Sequence, residues 1–110
     1  MSLSLAKTKA PFNIITATSG SQSLAPVKDS IFKVQDNTVL TGNFTFTLNS
    51  TNAGVAVPDG TKLYLSMVDV DFATFTATVQ DATNTMNTIV TSNPSTFFFQ
   101  FTNNRWYRIV

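Results

Sequence analysis

Two residue types that carry much of protein chemistry are missing from this 110-residue chain, which contains no cysteine and no histidine. Without cysteine there is no disulfide framework and no thiolate nucleophile. Without histidine the chain lacks the most common general base and the most common metal ligand. Several serines are present, but a serine nucleophile needs a base beside it. We therefore predict that the chain is not an enzyme and uses no cofactor.

Charge is scarce as well. Charged residues make up 12% of the chain, against about 25% in typical soluble proteins, and every acidic residue is an aspartate. The formal net charge of +1 gives no electrostatic reason to bind nucleic acid or a membrane surface. No apolar run approaches the roughly 18 residues of a membrane span. Threonine, serine and asparagine take the polar positions, which favours strands and turns over helices.

Apolar and polar residues alternate in short segments that turn signals separate. The clearest strand is 44–48, and Pro58-Asp59-Gly60 has the composition of a turn. The apolar phase shifts within 61–72, which predicts a bulge or bend there. About eight such segments predict an all-β fold, an antiparallel β-sandwich or jelly-roll-like barrel. We expect one domain at residues 12–110, preceded by an extended arm at residues 1–11.

The C-terminus predicts a β-hairpin. Asn103 and Asn104 suit a two-residue loop, because asparagine tolerates the positive φ of a type I′ turn. Side chains alternate on the two strands, so one face of the hairpin is a core face. That face carries Phe97, Phe99, Phe101, Trp106, Arg108 and Val110. The opposite face carries Phe98, Tyr107 and Ile109, more apolar surface than a lone hairpin leaves in water, and we expect a neighbouring copy to cover it.

Two groups of residues could hold a ligand. Asp69 and Asp71 are two residues apart on a predicted strand and so share a face. Paired carboxylates can hold a hard cation or divide acid and base roles, while a solvated strand face is the plainer interpretation. Trp106 and Tyr107, with the arginines beside them, could form a platform for a sugar. The same residue types dominate protein interfaces, and a core position for Trp106 is the remaining interpretation.

Three stretches of the second half together form a further pattern of turns and strands. Residues 57–65 have a strand after a Pro/Gly turn, and residues 79–89 lead into an Asn-Thr-Ile strand. Residues 97–109 end in a turn followed by Arg-Trp-Tyr-Arg-Ile. Over roughly residues 40–110 this pattern resembles domains of tailed-phage virion proteins, such as fibres, head fibres and capsid-decoration proteins. The resemblance implies a structural role in the virion, an all-β fold and trimerisation.

The chain departs from long fibres, because it has no repeat and no coiled-coil stalk. It is therefore more similar to a small capsid-decoration, or cement, protein. On this resemblance we expect a homotrimer bound to the major capsid protein. Lys7, Lys9 and Phe12 would face the shell, and the apolar residues of the second hairpin face would form the subunit interface. The alternative is a receptor- or carbohydrate-binding module of a phage fibre or baseplate.

Overall fold

The computed structural model describes residues 11–83 and 88–109, which form short strands and no helix. The strands are β1 Phe12–Ile15, β2 Gly20–Leu24, β3 Ser30–Val34, β4 Thr38–Val39, β5 Phe44–Leu48, β6 Thr51–Asn52, β7 Val55–Ala56, β8 Lys62–Met67, β9 Val70–Asp71, β10 Ala77–Asp81, β11 Ile89–Thr91, β12 Ser95–Thr102 and β13 Arg105–Arg108. The all-β prediction is confirmed. The strands are shorter and more numerous than the expected eight.

Two sheets contain most of these strands. The five-stranded sheet has the order β1-β3-β8-β12-β13, and the four-stranded sheet has the order β11-β10-β5-β2. Two small pairs, β4 with β9 and β6 with β7, complete the described part of the chain. The predicted bend within 61–72 is the place where the chain leaves one sheet for another. There β8 in the five-stranded sheet ends at Met67 and β9 begins at Val70.

The chain passes through these sheets in a repeating order. We call one passage of the chain through the five-stranded sheet and then the four-stranded sheet a circuit. The first circuit contains β1 and β2, the second contains β3, β4 and β5, and the third contains β8, β9 and β10. β3 and β5 lie parallel beside β1 and β2, and β8, β9 and β10 lie parallel beside β3, β4 and β5. Paired residues of the second and third circuits are 33 positions apart in both main sheets. Residue 30 pairs with residue 63 in the five-stranded sheet, and residue 44 pairs with residue 77 in the four-stranded sheet. The three circuits are therefore stacked as a short coil.

The predicted all-antiparallel pairing is wrong, since the circuits make both main sheets mixed. Alternation of side chains is the same in parallel and antiparallel strands, so the sequence pattern does not distinguish them. Parallel neighbours need a long crossover connection, which is usually a helix. Here strands of the opposite sheet serve as the crossover, so parallel pairing arises without any described helix.

The last strands reverse direction. β11 pairs antiparallel with β10, and β12 pairs antiparallel with β8 and then with β13. The predicted hairpin is confirmed: Phe101 lies opposite Trp106 and Thr102 opposite Arg105. Asn103 and Asn104 have φ values of 54° and 62°, as a type I′ turn requires at both central positions. Val110, expected on the core face, lies outside the described residues.

One core collects the inward side chains of both main sheets. Its members are Ile15, Leu24, Val34, Leu40, Phe44, Phe46, Leu48, Val57, Leu63, Leu65, Met67, Val70, Phe72, Ala77, Val79, Phe97, Phe99, Phe101 and Trp106. The rings of Phe44 and Phe46 stack with their centroids 4.6 Å apart. Strand β5 has the predicted alternation, with Phe44, Phe46 and Leu48 buried and the threonines between them less so.

A buried carboxylate joins the third circuit to the final hairpin. Asp81 ends β10 with 2% of its surface exposed. Its Oδ2 accepts a hydrogen bond from the backbone N–H of Trp106 at 2.8 Å, and its Oδ1 accepts one from the backbone N–H of Thr83 at 2.9 Å. The indole N–H of Trp106 donates to the carbonyl oxygen of Asn49 at 2.9 Å. These bonds tie β13 to the ends of β5 and β10.

Replacing Asp81 with alanine removes the acceptor of both backbone N–H groups. Hydrogen bonds to a charged group each contribute about 1.5–3 kcal/mol, so we expect Asp81→Ala to lower the free energy of unfolding by about 3 kcal/mol. The measurement is a urea or guanidinium titration followed by tryptophan fluorescence, because Trp106 lies at the joint.

Asp36→Ala is the matched control. The carboxylate of Asp36 contacts Lys33 at 2.9 Å, but its side chain is 55% exposed, so its loss should change stability by less than about 0.5 kcal/mol. Equal effects of the two substitutions would show that Asp81 is not a structural joint.

Candidate functional site: an apolar row on the five-stranded sheet

Large apolar side chains form a row across the outer face of the five-stranded sheet. The strand register places Phe12 opposite Ile31, Ile31 opposite Tyr64, and Tyr64 opposite Phe98. Ile109 continues the row, because its backbone N–H donates to the carbonyl oxygen of Phe98 at 2.6 Å. These positions alternate with core residues along their strands, so their side chains point away from the core. We call this set the outer row.

Burial differs along the outer row. Phe98 is 5% exposed at its centre, and its ring packs against Tyr64 with the centroids 6.4 Å apart. The two ends are open, with Phe12 54% exposed and Ile109 40% exposed. The row thus combines a covered centre with large apolar side chains that remain in solvent at each end.

Two neighbours widen the apolar surface. Ile14 follows Phe12 on the outer face of β1 and is 49% exposed. Tyr107 precedes Ile109 on the outer face at the other end and is 40% exposed. Lys33, which lies beside Ile14 in the register, is paired with Asp36 at its ammonium group. The outer face therefore carries exposed apolar side chains at both ends of the row and an ion-paired lysine beside the row on β3.

The residues predicted for the subunit interface all belong to this face. Tyr107 and Ile109 present their side chains to solvent, whereas Phe98 is covered by its own chain and offers a partner little surface. Of the predicted capsid-binding residues, Lys7 and Lys9 lie outside the described residues. Phe12 begins β1 and stands at the opposite end of the same row. Phe12 and the predicted subunit-interface residues, which were assigned to different partners, thus lie on the same face of the sheet but at its opposite edges.

Ile31 and Tyr64 are the members of the row that sequence reasoning missed. Each alternates with core residues in its own strand, which is the signal that could have placed them on an outer face. Their meeting with Phe12 and Phe98 depends on the order of strands in the sheet. The burial of Asp81 was also missed, although it falls in phase with the inward residues Ala77 and Val79.

Asp69 and Asp71 do not share a strand. Asp69 lies in the turn between β8 and β9, where its Oδ2 accepts from the backbone N–H of Asn37 at 3.0 Å. Asp71 ends β9, and its Oδ1 accepts from the backbone N–H of Ala73 at 2.9 Å. The Asp71 carboxylate stabilises its local turn, whereas the Asp69 carboxylate joins the turn between β8 and β9 to Asn37 of the preceding circuit. Within residues 11–83 and 88–109, no group of three or more acidic side chains could hold a metal ion.

Trp106 belongs to the core. It is 1% exposed, and its ring packs against Phe101 with the centroids 5.1 Å apart. Its face is therefore not available to stack on a sugar, so the interpretation of Trp106 as a sugar platform is wrong. Arg108, one of the flanking arginines, holds its guanidinium 4.9 Å from the centre of the Phe97 ring, a cation–π contact within the chain.

Comparison with known proteins does not assign a family. The sequence matches no protein-family model and no curated protein. The described part of the chain also contains no helix of the length and hydropathy needed to cross a membrane.

Proposed function

We propose that this chain is a structural protein of a phage virion, a capsid-decoration protein that stabilises the shell by bridging capsid subunits. The outer row is the observation that carries this proposal. At its two ends, on either side of the covered Phe98, the row leaves large apolar side chains in water that a partner could cover. The resemblance of residues 40–110 to virion domains supports the class of partner, namely copies of this chain and the shell beneath them.

The exposed side chains at the two ends of the row would supply only part of an interface. Phe12, Ile14, Tyr107 and Ile109 are each between 40% and 54% exposed. With aromatic side chains of about 150–250 Å², these four residues expose roughly 300 Å² of apolar surface. A standard interface buries about 800 Å² on each partner, of which only the centre is strongly apolar. The polar residues around the row would supply the remainder.

The architecture of the domain supports a structural role, in which the protein acts by assembling with other subunits. We infer that the two main sheets pack face to face as a β-sandwich, because a single core takes side chains from both. In this arrangement the core face of the five-stranded sheet holds the fold together, and its outer face is left for a partner. Binding only the folded state would stabilise both the domain and the shell.

The oligomeric state tests the outer row. We expect the purified chain to form a homotrimer of three 12.0 kDa subunits, and the double variant Tyr107→Lys/Ile109→Lys to be a monomer, because two buried charges oppose association. The measurement is multi-angle light scattering after size exclusion.

Val90→Lys is the control for this experiment. Val90 is 63% exposed on β11, in the four-stranded sheet, so a lysine there should leave the mass unchanged. A wild-type monomer at millimolar concentration would contradict assembly through this face. A trimer that survives both lysines would place the subunit interface elsewhere.

The arm supplies the contact to the shell. We expect a variant without residues 1–10 to keep its far-ultraviolet circular dichroism spectrum but to lose binding to shells assembled from the phage's own major capsid protein. The deletion stops before Pro11, whose carbonyl oxygen accepts from the backbone N–H of Ile31 at 2.8 Å and so belongs to the sheet. Occupancy by electron microscopy is the measurement, and unchanged occupancy would remove the arm from the binding site.

A further inference from the structure

The two ends of the coil are not equivalent. At the C-terminal end, β11 and the β12–β13 hairpin pair with the third circuit. At the N-terminal end, β1 and β2 are the outermost strands of their sheets, and no described strand pairs with their outer edges. Stacked-repeat folds need a cover at each terminal repeat, because the last repeat would otherwise leave part of its core in water.

The first circuit covers the core incompletely. Asn13 lies opposite Phe32, and Gln22 lies opposite Phe46, so polar residues stand where the second circuit has aromatic ones. Both Asn13 and Gln22 are exposed. Two inward positions of the first circuit are therefore open to solvent, while Ile15 and Leu24 in the same two strands are buried.

A cleft of about 350 Å³ lies at this open end. Leu24, Pro26 and Phe32 contribute apolar surface to it, and Leu24 and Pro26 are themselves buried. Asn13, Ser23, Lys28 and Asn52 add polar groups to the lining. Its volume lies within the range that accommodates a small apolar group with polar neighbours.

The chain that precedes the described residues begins at this cleft. Pro11 is one of the lining residues, and residues 1–10 lead into it. Beyond Met1, the large apolar side chains of that segment are Leu3 and Leu5, which alternate with Ser2 and Ser4. Six residues span up to about 20 Å when extended, so Leu5 can reach any part of a cleft that Pro11 itself lines.

We propose that the arm folds back on its own chain, with Leu3 and Leu5 seated in the cleft as the cover of the N-terminal end of the coil. The leucines match the apolar surface of Leu24 and Phe32, and the alternating serines match the polar groups around it. Lys7 and Lys9 then lie in the connecting loop and stay accessible to the shell. This inference goes beyond the proposed function and does not depend on it.

The short connection favours this occupant over a second copy of the chain. A tethered segment meets its site at an effective concentration in the millimolar range when the linker can span the distance. Closing so short a loop also costs little entropy. The arm of a neighbouring copy has neither advantage in dilute solution, and the experiment below distinguishes the two.

Engineered cysteines test the location directly, since the chain has none of its own. The test variant is Leu5→Cys/Val27→Cys, because Val27 lines the cleft and is 38% exposed. The matched control is Leu5→Cys/Val90→Cys, with its second cysteine on β11 at the opposite end of the four-stranded sheet from β2. Under mild oxidation at micromolar protein, we expect a disulfide within one chain in the first variant and none in the control.

Each other result of the oxidation overturns the proposal. Disulfides between chains in the Val27 variant would show that the arm reaches a second copy. Equal cross-linking of the two variants, or none in either, would show that the arm does not occupy the cleft. Reaction products are separated by non-reducing electrophoresis and identified by mass.

Thermal unfolding of the isolated chain gives a second readout. We expect Leu3→Ser/Leu5→Ser to lower the thermal midpoint by roughly 5–10 °C, because two buried leucines return to water. Lys7→Ser/Lys9→Ser is the matched pair in the same segment, and it should leave the midpoint unchanged while weakening attachment to the shell. Equal midpoints for the two double variants would overturn the capping role, whereas shell binding reports separately on the proposed function.

Discussion

In-register pairing between successive circuits is the constraint on which the rest of the structure depends. The second and third circuits repeat after 33 residues in both main sheets, so Phe44 meets Ala77 on one side while Ser30 meets Leu63 on the other. A slip of one residue in either sheet would turn every inward side chain of that strand to the outside. In the five-stranded sheet, the same register therefore places core side chains on one face and the outer row on the other.

Asp81 shows how the end of the coil is joined to the hairpin that follows it. An isolated charge in a core is strongly unfavourable, and it is tolerated when hydrogen bonds compensate the lost water. Backbone N–H groups of Trp106 and Thr83 supply that compensation. The carboxylate thus specifies where β13 lies relative to β10. The indole N–H of Trp106 fixes the position of β13 relative to the end of β5, because it donates to the carbonyl oxygen of Asn49.

The edges of the five-stranded sheet differ in a way that bears on assembly. At one edge, β13 carries Arg105 and Arg108, and charged side chains are a common protection against unwanted strand pairing. At the other edge, β1 has the sequence Phe-Asn-Ile-Ile and carries no charge. A chain with only 12% charged residues has few means of keeping apolar surface apart from its neighbours.

Local physics made part of this structure predictable from the sequence. The Asn103-Asn104 loop determined the hairpin register, because two positive φ values suit asparagine and the loop length fixes the pairing. Alternation identified β5 and its buried side chains, and the change of phase within 61–72 marked the turn from β8 to β9. Composition favoured strands over helices, and the alternating segments between turn signals predicted an all-β fold. The hairpin alternation also placed Trp106 on the core face. Other features were decided only by the tertiary structure: the parallel pairing of the circuits, the alignment of Phe12, Ile31, Tyr64 and Phe98 in one row, and the burial of Asp81. Alternation states which side chains share a face of one strand, but strand order, direction and register follow from contacts between residues that are tens of positions apart.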